Sequence, residues 1–429
     1  MKNKIKILLI IFTLGFLASG CDLNVSNPNS PTNEDLKTYD GMRMTAIGMQ
    51  ARLSQSIGDF NTVSGAVSGE TSPIIAYIGY QSLRRYPDAS KRSLLEKSNE
   101  YMVTVWSVQF QIVKSANDIL NNIEAIGMDA QMKKNIKALA EVGKVMAFYN
   151  LITHWEKIPI DINKDHPSYV DRPAVIAECL NLLNDAEANI SGGLAKDFTG
   201  KIIGANWDLA NTIQAYKARF MLMKGDYANA IDAASKVSVE SQYVYAEGTG
   251  TNPLWVNYTT SKFSAALSRW VEGAETGDKR IAATVDLTTK RSDYFGKDTA
   301  YIIIKYNAAT KPYKIYTLNE MTLIKAEALA RSGNNSSALT EVNKIRTAAG
   351  LKDYTGTNVL REVFVQRFYE CYLMAQHFED LRRFKSDNID IVKYQRDTQL
   401  AHEWLIYPYT EIDINPNCPA QPLNINLGM

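Results

Sequence analysis

The side chains able to act on a ligand fall into sparse histidines, one carboxylate pair and aromatic residues set in polar stretches. A metal hydrolase needs histidines at helical spacing, and His154, His166, His377 and His402 form no His-Glu-x-x-His arrangement, so neither a metal nor a cofactor is expected. His377 reads as structural. Gly248-Thr249-Gly250 lacks the following lysine and strong helix of a phosphate cradle, and no Gly-x-Ser-x-Gly nucleophile turn occurs. The most visible carboxylate pair, Glu379-Asp380, stands beside Arg382 and Arg383 and reads as an ion-paired helix end. Glycoside hydrolysis would instead need one of the two carboxyls desolvated near its partner. No catalytic set is therefore expected.

The aromatics are more specific. The apolar CH faces of sugar rings stack on Trp and Tyr, while Asn, Gln, Ser and Asp take the hydroxyls. Trp255, Tyr258 and Trp270 lie in a polar, non-periodic stretch between Gln242 and Tyr313, where burial has no obvious partner. Tyr77, Tyr80 and Tyr86 lie in a second such stretch, Gly58 to Arg92. These six are the expected ligand contacts. Trp106, Trp155, Trp207 and Trp404 stand in helical or ordered terminal segments and read as scaffold.

Two helical hairpins must carry these stretches. Leu209, Ile213, Tyr216, Phe220 and Met223 recur at steps of four and three, Gly225-Asp226-Tyr227 interrupts them, and Ala230, Ile231, Ala234 and Val237 resume the period. Met321 to Ile345 repeats the pattern around Gly333, with Ala338, Leu339, Val342 and Ile345 on the equivalent positions. Such units are tetratricopeptide-like and bury their apolar faces only by stacking on one another. Further helices are expected over Leu36 to Ile57, from Trp106 to Ile123, from Ile136 to Ala147 and after Arg172-Pro173. Leu405 to Asn417 should pack over them as irregular structure.

The N-terminus reads as an export signal. Lys2, Lys4 and Lys6 precede the apolar run Ile7 to Leu17, which is too short to span a bilayer. Leu17-Ala18-Ser19-Gly20-Cys21 resembles the bacterial lipobox, whose cysteine is acylated, with palmitate for example, before cleavage. Asn, Ser and Pro then make residues 21–35 a flexible tether. The formal charge of +1 provides no basic face for nucleic acid, and membrane affinity is left to the lipid on Cys21. Cys179, Cys371 and Cys418 are too few and too scattered for a disulfide framework or a zinc site.

Taken in order, these segments resemble the SusD/RagB family of Bacteroidetes surface lipoproteins. The matching pieces are the lipobox with Asn24 to Thr32, Trp106 to Asn117, Ala215-Tyr216-Lys217-Ala218-Arg219, Glu320 to Ala330, Leu339 to Gly350, Arg367 to Glu370 with Phe378 to Arg383, and Tyr407-Pro408 with Glu411 to Asn417. The resemblance implies a mostly α fold, a tetratricopeptide-like helical-hairpin scaffold with long irregular insertions. The expected organisation is a signal peptide over 1–20, the tether over 21–35 and one SusD-like domain over 36–429. Its scaffold would span about 100–240 and 315–385, with ligand-face insertions at about 58–99 and 240–313. It further implies a non-enzymatic, lipid-anchored outer-membrane protein facing the cell exterior, which captures an oligosaccharide and passes it to a SusC-like TonB-dependent transporter. Peptide capture in the manner of RagB, or a helical-repeat adaptor without small-ligand binding, are the alternatives.

Overall fold

The computed structural model describes residues 34–76, 97–246, 250–294, 296, 298–385, 387 and 404–422. Cys21, the signal segment, most of the tether, and Tyr77, Tyr80 and Tyr86 lie outside these residues.

Ten helices carry the frame: α1 (Tyr39–Ser68), α2 (Glu100–Asn122), α3 (Ala130–Ile152), α4 (Arg172–Ile190), α5 (Leu209–Lys224), α6 (Tyr227–Lys236), α7 (Leu318–Arg331), α8 (Asn335–Ala348), α9 (Val359–Glu370) and α10 (His377–Lys385). Each packs against the next from α1 to α10, and α10 returns to pack on α1. The fold is mostly helical, as expected, and no described helix is long and apolar enough to cross a membrane.

Both hairpins close by the same local device. Gly225 and Gly333 take left-handed backbone at φ +79° and +82°, which glycine adopts without the penalty a side chain brings. Asp226 N then donates to Met221 O and Asn334 N to Leu329 O, each at 2.9 Å, covering carbonyls that the ended helix leaves open. Asp226 and Asn334 next cap the new helix, accepting from Asn229 N and Ser337 N. A turn that stops one helix and starts another within two residues forces an antiparallel pair.

The two hairpins stack directly, α6 on α7, although 81 residues of chain separate them. Arg219 of α5 locks the stack: its Nε and Nη2 donate to Glu320 of α7 at 2.6 and 2.8 Å, and Nη2 also reaches Ile315 O at 3.0 Å. The guanidinium lies over the rings of Tyr149 and Tyr216. Both charges are buried, so each is tolerated only because the other satisfies it.

The chain between the hairpins supplies most of the sheet, interleaved with short helical segments at Trp255–Thr260, Ser268–Glu272 and Lys279–Thr284, an arrangement that the lapse of helical period left unspecified. Strands β1 (Thr71–Pro73), β5 (Ser264–Leu267), β7 (Thr299–Ile303) and β6 (Val285–Ser292) form an antiparallel sheet in the order β1-β5-β7-β6. Short pairs join β2 (Lys157–Pro159) to β3 (Tyr169–Asp171) and β4 (Gln242–Tyr243) to β8 (Tyr313–Lys314). One helical boundary needs correction. The expected irregular stretch from Gly58 is a continuation of α1 to Ser68, within which Asn61 and Thr62 turn their side chains back onto the carbonyls of Ile57 and Gly58. At the other end of the chain Leu405, Ile406 and Tyr407 are buried over the helices, and Leu405 N donates to His154 O at 2.8 Å.

Candidate functional site

On α1, Ile47, Gln50, Ala51, Ser54 and Gln55 fall at steps of three and four and so share one face. That face forms one wall of a cleft of about 290 Å³. Opposite it run Gln242 and Tyr243 of β4 and the following Val244 to Ala246, and Ile202, Gly204, Ala205 and Trp207 close the base. The volume is at the small end of the roughly 300–1,000 Å³ of small-molecule sites.

The cleft is held in shape by polar side chains whose donor hydrogens are spent on the protein itself. The Gln50 amide donates to Ala46 O and Ile202 O and accepts from Gly204 N at 2.9 Å, tying the base to α1. Asn206, at φ +62°, turns the chain so that its carbonyl receives Gln242 N at 3.0 Å. Trp207 Nε1 donates to Thr212, and the Tyr245 hydroxyl donates to Ser54 O at 2.9 Å. Tyr243 meets Trp207 edge-on at 5.9 Å and stacks on Tyr313 at 6.2 Å. Burial pushes the Tyr243 and Tyr245 hydroxyls upward in pKa, so both stay neutral.

Just past the cleft, residues 251–257 run along α1. Gln55 Nε2 reaches Thr251 O at 3.5 Å, Pro253 abuts Gly58 so closely that a Cβ there would lie 2.7 Å from the Pro253 Cβ, and Asn257 Nδ2 donates to Thr62 at 3.2 Å. Trp255, between the last two contacts, is half-buried.

The other two aromatics expected beside it are placed differently. Tyr258 is 1 % exposed, and Trp270 is fully buried, stacked on Tyr372 at 4.1 Å with its Nε1 directed at Phe368 O. They are core residues and offer no face to a ligand, because the sheet and the turn after α9 close over them. Periodicity could not reveal that partner. Trp207, Tyr243 and Tyr245 are themselves largely buried, as the scaffold reading of Trp207 expects, and present only their edges to the cleft; Tyr243 and Tyr245 were not singled out by sequence reasoning. The signal available was the run of polar residues Gln50, Ser54 and Gln55 on one face of α1, beside the point at Gln242 where helical period stops.

Glu379 and Asp380 are structural, as their neighbours imply. Glu379 is held by Arg172 and Arg382, and Asp380 by Arg367 at 2.9 Å and Arg383 at 2.7 Å. Arg383 also grips Glu327 at 2.6 and 2.8 Å. Burial alone would raise the Glu327 carboxyl, but the surrounding guanidiniums hold it down at about 2. No group of His, Cys, Asp and Glu suited to a metal ion occurs among the described residues. His377 is buried between Phe364 and Phe368, and Cys179 and Cys371 are buried thiols.

Residues 238–416 match the model of the SusD family. That segment belongs to the SusD family. The helical frame agrees over nearly its whole length with solved SusD relatives. A SusD superfamily protein from Bacteroides fragilis NCTC 9343 superposes with a TM-score of 0.70 at 13% identity, covering 90% of this chain and 99% of that one. B. fragilis NanU superposes with a TM-score of 0.69 at 14% identity, covering 93% and 100%. A structure described as a SusD-like carbohydrate binding protein from Bacteroides vulgatus ATCC 8482 gives 0.59 at 14% identity, covering 78% and 83%. At these identities the likeness establishes the SusD fold. No curated protein gives a significant match. The SusD-family match begins just before β4 and so includes the strand wall of the cleft, while the α1 wall lies outside it.

Proposed function

We propose that this SusD-like chain is a non-catalytic oligosaccharide-binding lipoprotein, anchored to the outer membrane through Cys21 and facing the cell exterior, which passes its ligand to a SusC-like TonB-dependent transporter. The observation that carries the reading is the cleft between α1 and β4: preformed, walled by Trp207, Tyr243 and Tyr245, and rimmed by glutamine amides. Trp255, half-buried on the same flank of α1, adds an aromatic side chain of the type that stacks on a sugar. The carbohydrate-binding description of the B. vulgatus relative supports the ligand class. Weak binding suffices for such a role, since a lipid tether beside a transporter raises the local ligand concentration at the pore.

The test is a glycan-binding screen of the purified chain alongside Ala51→Trp. Ala51 is exposed on the cleft wall, so an indole there fills the cleft without removing any hydrogen bond or core contact. Glycan binding lost in Ala51→Trp with an unchanged melting temperature supports the cleft. Undiminished binding moves the site to the Trp255 surface, and a chain that binds only peptides replaces the oligosaccharide reading.

A further inference from the structure

We infer that the cleft selects uncharged glycans and rejects those carrying carboxylate or sulfate groups, an inference that rests on the oligosaccharide reading above. Among the described residues, no Asp, Glu, Lys, Arg or His lines the cleft. This is unusual for a chain in which charged residues make up 22% of the sequence and even buried arginines and carboxylates are frequent.

The polar capacity that remains is narrow and specific. Gln50, Trp207 and the Tyr245 hydroxyl spend their hydrogen bonds on the protein itself. Two amides are left. Gln242 on the β4 wall has no side-chain partner among the described residues, and Gln55 on the α1 wall makes only the 3.5 Å contact to Thr251 O. An amide donates and accepts, which complements a hydroxyl, itself both donor and acceptor. A carboxylate or sulfate only accepts. It would engage the amide N–H groups, leave the amide oxygens facing a like partner, and lose water with no cation to offset the loss.

A second cavity shows the opposite construction. It measures about 280 Å³ and lies between residues 273–278 and 346–369. Its walls are charged, with Arg346 bound at once to Glu275 and Glu362. The fold can therefore place charge around a cavity, and none of the described residues lining the α1–β4 cleft is charged.

The experiment is calorimetric titration of the full chain with gluco-, galacto- and manno-oligosaccharides and with the corresponding oligouronates, in which the C6 hydroxyl is a carboxylate. The expected result is that whichever neutral series binds does so at least about ten-fold more tightly than its uronate. Gln242→Arg, or Gln55→Arg on the facing wall should Gln242→Arg fail to fold, places a cation in the cleft and should raise uronate affinity until the difference falls below about three-fold. A native chain that binds the uronate as tightly as the neutral series overturns the neutral preference while leaving the oligosaccharide reading intact. An arginine variant that binds the uronate no better also overturns it, since the absence of a cation would then not be what excludes the anion. A chain that binds neither these glycans nor any in a wider panel removes the oligosaccharide reading, and this inference with it.

Discussion

Replacing Glu70 by Gln should make the protein more resistant to alkaline conditions, and the size of the effect can be worked from its surroundings. Glu70 follows Gly69, the left-handed residue that ends α1, and is 1 % exposed. Its Oε1 accepts from Leu373 N at 3.3 Å, while Oε2 is buried without a hydrogen-bond partner. Burial raises the carboxyl from an ordinary 4.5 to about 8; the Leu373 amide and the Lys305 charge only moderate the rise, and Asp380 adds to it. The folded state therefore binds the proton more tightly than the unfolded state. The stability this contributes is complete below pH 4.5 and is lost as pH rises through 8. From pH 6 to pH 8 that is two units at about 1.4 kcal/mol each, or about 3 kcal/mol. Glutamine reproduces the neutral acid in shape and cannot ionise. Glu141, raised by burial to about 7, titrates in the same window, so the informative quantity is the difference between native chain and variant. Urea unfolding at pH 6, 7, 8 and 9 measures it. The variant's advantage over the native chain should grow by about 3 kcal/mol between pH 6 and pH 9, on top of the difference already present at pH 6. A difference that stays constant across this range would refute the account.

The remaining predictions concern the frame. Arg219→Met leaves Glu320 buried without its partner and should cost about 3–5 kcal/mol in denaturant unfolding, whereas adding Glu320→Leu should recover most of that loss; an undiminished loss in the double variant would mean that packing, not charge, ties α5 to α7. Trp270→Ala should cost about 3–5 kcal/mol, since it empties a fully buried site, while Trp255→Ala, on a half-buried ring, should change stability by less than about 1 kcal/mol. Thermal melts of the pair check the assignment of one to the core and the other to the surface, and equal losses would contradict it.

The difference between those two tryptophans also shows where sequence stops being informative. Features set by neighbours in the chain could be read directly. Gly225-Asp226 and Gly333-Asn334 specify hairpins because a left-handed residue and a capping side chain act within a few positions. Arg382 and Arg383 had to meet Glu379 and Asp380 because residues three apart on a helix share a face. The order of such segments was enough to suggest the SusD frame.

The site follows another rule. Gln50 meets Ile202 and Tyr245 meets Ser54 across 152 and 191 residues, contacts that exist only once the stacked hairpins bring the chain back past α1. Trp270 is buried because the turn after α9 lays Tyr372 on it, and nothing within its own irregular stretch marks that partner. Periodicity records which side of a helix faces the core, so it determined the frame. In a segment without period, burial depends on what arrives from elsewhere, and tertiary structure alone decided which aromatics line a cleft and which fill the core.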